Sequence, residues 1–79
     1  MKQTTLTATI WREDDSYVSL CSELGVSSFG NTPDEAIDML RDAVELYLEN
    51  AHQLGIWEDI RAVLESPHHF TAPLEVAVP

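Results

Sequence analysis

The chain has 79 residues, 44% of them hydrophobic and 23% charged, which is the composition of one small globular domain spanning residues 1–79 rather than of a disordered segment. Its 14 Asp and Glu against 4 Lys and Arg give a net charge of -10, and the basic residues Lys2, Arg12, Arg41 and Arg61 are scattered. Nucleic-acid binding, which draws its affinity from clustered Lys and Arg releasing counterions, is therefore not expected, whereas a basic protein would be attracted and its encounter accelerated.

From Thr4 to Trp11 threonines alternate with Leu6, Ala8 and Ile10, the period-two signature of a strand with one buried face. "REDDS", Arg12 to Ser16, supplies turn formers, and "YVSLC", Tyr17 to Cys21, returns as a second strand, so the first two elements make a hairpin. After "SELG", the segment "VSSFG" reads as a short third strand bounded by Gly25 and Gly30, with a plain loop as the alternative.

The periodicity then changes. Ala36, Ile37, Leu40, Ala43, Val44, Tyr47, Leu48 and Ala51 recur on one helical face, opposite Asp38, Arg41, Asp42, Glu45 and Glu49. Thr32 is placed as N-cap, Pro33 at the first helical position and Glu35 to complete a capping box, while Gly55 suits a left-handed C-cap with Ile56 folding back on the apolar face. The helix predicted is about 20 residues, roughly 30 Å long. Ile56, Trp57, Ile60, Val63 and Leu64 predict a second, shorter helix stopped at Ser66 and Pro67. Phe70, Ala72, Leu74, Val76 and Val78 then alternate with Thr71, Pro73, Glu75 and Ala77, which predicts a closing strand on a sheet edge. The fold class expected is α+β, a small antiparallel sheet in the order β-β-β-α-(α)-β.

Gly30 before a capped helix start resembles a phosphate loop, but one glycine is a weak signal, and Asp34 and Glu35 already place carboxylates at the positive end of the helix dipole. Glu13, Asp14, Asp15 and Glu23 raise a divalent-metal nuclease site. Consecutive residues of a turn diverge into solvent, so a solvated hairpin tip is the better account. Adjacent His68 and His69 point to opposite faces of a strand and do not chelate one ion. Glu49 and His52 have a usable ligand spacing, yet His52 equally suits the negative end of the helix. Cys21 is unpaired by any second cysteine and sits in an apolar strand as a small core residue. No catalytic residue, cofactor or metal is expected. Met39 and Leu46, seven apart beside the main stripe, widen the apolar face; such a stripe in a small domain is usually core, with a self-association or partner surface as the alternative, and the small core together with the broad stripe predicts a homo-oligomer, most simply a dimer. No secretory signal occupies the first 30 residues, and no apolar run approaches the roughly 20 residues of a membrane span, so a cytoplasmic location is the default.

One stretch resembles a known family. "YVSLCSELGVSSFGNTPDEAIDMLRDAVELYLE", Tyr17 to Glu49, is similar to the HicB antitoxins in its Cys-x-Glu-Leu turn, Cys21, Glu23 and Leu24, and in its Gly-x-Thr-x-x-Glu-Ala helix start, Gly30, Thr32, Glu35 and Ala36. Leu40, Ala43, Val44, Leu46, Tyr47 and Leu48 continue the match over about two-fifths of the chain, with Ser22 where the family often has proline and Phe29 where it often has a polar residue. The resemblance implies a partial ribonuclease-H-like domain that binds and inhibits a small basic toxin of the HicA type, an mRNA-cleaving protein with a catalytic histidine. Many relatives add a C-terminal helix-turn-helix or ribbon-helix-helix module; no such module follows here, so direct operator binding is not expected. The alternative expectation is an oligomeric adaptor or small-ligand-binding domain with no toxin partner.

Overall fold

A computed structural model describes residues 4–65 and 72–79, so the positions of His68, His69 and Phe70 lie outside the described residues. Three antiparallel strands, β1 (Ala8–Glu13), β2 (Ser16–Cys21) and β3 (Val26–Gly30), form one sheet in the order β1-β2-β3, followed by α1 (Pro33–Leu54) and α2 (Trp57–Glu65). The result is an α+β fold of two layers, with α1 lying chiefly over β3 and β2 and only lightly over β1.

The hairpin is tighter than "REDDS" suggests. Glu13 pairs with Ser16, leaving Asp14 and Asp15 as a two-residue turn, and Asp14 adopts φ 53°, a left-handed conformation that Asp tolerates. The first strand also begins later than the threonine alternation implies. Thr7 N–H donates to both carboxylate oxygens of Glu23, at 2.9 and 3.1 Å, and the Thr7 hydroxyl donates to Oε2 at 2.9 Å. These bonds stand in for ladder bonds just ahead of β1, and Leu6 packs against the core from outside the sheet. Ala8, expected on the buried face, is exposed because α1 barely reaches the outer strand.

The third strand forms, preceded by a turn in which Gly25 N–H donates to the Cys21 carbonyl at 2.9 Å with Gly25 at φ 71°. Gly30 ends it under a steric demand: a Cβ there would lie 2.6 Å from the Ala36 backbone nitrogen, so only glycine lets β3 run so close beneath the helix start.

Both ends of α1 form as their residues dictate. Thr32 Oγ1 accepts from Glu35 N–H at 3.1 Å. The Glu35 carboxylate accepts from Asn31 N–H at 3.2 Å, one residue ahead of the reciprocal bond of an ideal capping box. At the other end Gly55 adopts φ 75°, with Ile56 N–H donating to the Ala51 carbonyl at 3.1 Å and Gly55 N–H to His52 at 3.3 Å, a Schellman motif.

The core is small. Cys21, Leu40 and Val44 form its buried cluster, walled by half-buried Leu6, Leu24, Val26 and Leu48, with Ala36 and Ala51 buried along the same helix face. Ser19 is buried among them and donates its hydroxyl to the Ala36 carbonyl at 2.8 Å. The second helix contributes no buried residue and leans on α1 through Trp57, whose ring stacks on His52 with centroids 4.1 Å apart.

The closing strand predicted from Phe70 to Val78 is corrected: residues 72–79 form no strand, and Leu74, Val76 and Val78 are exposed. Alternation is necessary for a strand but not sufficient. It must meet a ladder partner, and Pro73 removes one donor from a segment that finds none within the described residues.

Candidate interaction surface

Those of the residues weighed for chemistry that the structure describes are not gathered into one place. Glu23 is engaged by Thr7 at one end of the hairpin, while Glu13, Asp14 and Asp15 are exposed at the other. Five residues of strand separate Ala8 from Glu13, which at about 3.4 Å per residue is roughly 17 Å. No divalent ion bridges that span. Among the described residues no three His, Cys, Asp or Glu side chains converge as a metal group. His52 of the Glu49–His52 pair faces Trp57 as a stacking partner. Cys21 is 2% exposed, and its Sγ lies 3.8 Å from Glu23 Oε1. At the start of α1 the Glu35 carboxylate fills the position an anion would take.

The sheet itself supplies a surface that residue-by-residue reading did not find. Partners directly opposite in the ladder share a face, so Ala8, Ile10, Ser19, Cys21, Val26 and Gly30 lie on the face covered by α1. The other face carries Thr9 beside Leu20 and Ser27, and Trp11 beside Val18 and Phe29. No element among the described residues covers it: Trp11 is 40% exposed and Phe29 69%. The row Trp11–Val18–Phe29 thus crosses all three strands as an apolar band. A shallow groove runs from it to the hairpin tip between Val18, Phe29, Ser16, Glu13 and Asp14. The available signal was the alternation of Trp11 with Ile10 and of Phe29 with Ser28, legible once the covered face is known.

A second apolar surface, the flank of α1 bearing Met39 and Leu46, is exposed on the helix side of the molecule. Basic groups near either surface are few. Arg41 pairs with Asp38 at 3.0 Å, Arg61 pairs with Glu58 and Glu65, and Arg12 donates through Nε to the Asp14 carbonyl at 3.1 Å. The Glu65 carboxylate, by hydrogen bond and charge, and Glu58 by charge, raise the Arg61 guanidinium further above its ordinary range.

What fold and surface define is a small α+β domain with one sheet face covered by α1 and the other uncovered among the described residues. No family model, no curated protein and no solved structure matches the chain. No helix among the described residues is long and apolar enough to cross a membrane.

Proposed function

We propose that this chain is a non-enzymatic binding domain that neutralises a small basic, RNA-cleaving protein by covering its active or RNA-binding surface, in the manner of the HicB antitoxins it resembles. The observation that carries the reading is the charge: -10 over 79 residues. Arg41 and Arg61, the two arginines in side-chain ion pairs, are themselves held by carboxylates of this chain, so the acidic excess faces outward. Such a surface repels RNA and attracts what binds RNA. Support also comes from the stretch that carries the resemblance, because Cys21, Gly30, Thr32, Glu35 and Ala36 hold the strand, turn and helix start in register. In this reading the domain acts in the cytoplasm as a homo-oligomer, with the Met39 and Leu46 flank of α1 joining copies.

The test is co-purification of the chain with small basic ribonucleases, beginning with any encoded beside its gene, followed by an RNA-cleavage assay on the mixture. A stable complex and loss of cleavage are expected; a basic ribonuclease that neither binds nor is inhibited would sink the reading. Sedimentation at micromolar concentration tests the oligomer, and a monomer there removes that part alone.

A further inference from the structure

The geometry points to the open face of the sheet, the band Trp11–Val18–Phe29 with its groove to the hairpin tip, as the docking site for a basic protein surface that presents an apolar centre ringed by lysine or arginine. The inference rests on the antitoxin reading for the partner's identity and adds where that partner sits.

Three observations carry it. The face is apolar and aromatic at its middle, with Trp11 and Phe29 exposed on either side of half-buried Val18, and large aromatic side chains in a flat setting dominate binding energy at interfaces. Among the described residues its charge has one sign: Glu13 projects on the open face, Asp14 and Asp15 form the adjoining tip, and Arg12 pairs across the ladder with Tyr17 on the helix side and is held to the Asp14 carbonyl. A basic rim on the partner would meet this tip while its apolar centre meets the aromatic band. The local charge disfavours a second copy as occupant of this face, since a self-contact here would set the Glu13, Asp14 and Asp15 tips against like charge. The α1 flank is a poorer fit, because Met39 and Leu46 are flexible or aliphatic and supply no aromatic anchor.

The experiment is a pair of amide-resolved NMR titrations of the full chain, one with a small basic ribonuclease of the class proposed above and one with a synthetic lysine-rich peptide bearing leucines along one helical face. Both probes are expected to move the amides of Thr9, Trp11, Val18, Leu20 and Phe29 and the Trp11 indole. Phe29→Ala should weaken both probes about tenfold, Met39→Ala should leave them within about twofold, and Glu13→Gln with Asp14→Asn should flatten the salt dependence. Phe29 is largely exposed, so its substitution spares the core; Ser27→Arg on the same face gives an independent block. Binding of the basic protein that maps to α1 and ignores Phe29→Ala overturns this inference while leaving the antitoxin reading intact. No binding by the basic protein, with the peptide still mapped to the sheet face, removes the antitoxin reading and supports the surface. Shifts at these amides that grow with protein concentration alone assign the face to self-association and overturn the proposal, as does failure of both probes to touch it.

Discussion

The hydroxyl of Ser19 donates to the carbonyl of Ala36 across 2.8 Å, and neither residue has exposed surface, so the middle strand is tied to the beginning of α1 by a bond water cannot replace. The acceptor also belongs to the helix's own ladder, and its loss would not orphan the carbonyl. Ser19→Ala should therefore cost about 1 kcal/mol. Ser19→Leu should cost more, because the strand and helix already touch there. Urea unfolding followed by circular dichroism would read both, and an Ala variant at least as stable as the parent would show the bond to be dispensable.

Gly30 and Gly25 should respond in opposite ways to substitution. At Gly30 a methyl would strike the Ala36 backbone nitrogen, and Gly30→Ala should cost about 1–3 kcal/mol through forced separation of β3 from α1. At Gly25 the surroundings are open and only the left-handed backbone matters, so Gly25→Asn should stay within about 0.5 kcal/mol of the parent. Equal losses at both positions would contradict the packing argument.

Thr32→Ala removes the acceptor for Glu35 N–H and should lower stability by about 1 kcal/mol, whereas Thr32→Ser retains it and should be close to neutral. Thermal unfolding of the pair separates capping from side-chain volume. A Ser variant as weak as the Ala variant would shift the explanation to the lost methyl group.

The second helix should come away without the rest of the fold. It buries no residue of its own and is held in part by the stack of Trp57 on His52, a contact worth about 0.5–1.5 kcal/mol. In His52→Ala, amide exchange should quicken through residues 57–65 and stay unchanged in β2 and the first half of α1. Uniform acceleration would mean that both helices belong to one cooperative unit.

Deleting residues 72–79 should leave the unfolding midpoint unchanged, since all eight are exposed and none enters the sheet. A loss above about 1 kcal/mol would restore a structural role to the alternation of Leu74, Val76 and Val78.

How legible each part was in the sequence follows from the range of the forces involved. The signals at both ends of α1 are local, with Thr32, Pro33 and Glu35 at one end and Gly55 and Ile56 at the other, so its limits were readable to within a residue or two. The strands were readable as alternation, but which face is buried depends on where a helix 20 residues away settles. Hence Ala8 lies on the inward face as its alternation implies and is still exposed, because α1 barely reaches β1, while Ser19 in "YVSLC" is the most buried polar residue among those described. The open band fell between these scales. Trp11 and Phe29 are 18 residues apart and meet only across β2, in a register that the tight turn at Asp14 and Asp15 determines. The closing strand fails over residues 72–79 for the complementary reason: the local pattern is sound, and the segment meets no ladder partner among the described residues.

The hairpin tip, where Glu13 ends β1 and Asp14 and Asp15 make the turn, has a consequence for how ionic strength acts on this molecule. Folding compacts a chain already at -10 and fixes this exposed tip on it, and dissolved ions relieve the self-repulsion of the whole. The same ions screen the attraction of a basic partner. Raising salt should thus harden the domain against urea while loosening whatever it holds, so that one variable, the Debye length, moves the two equilibria in opposite directions.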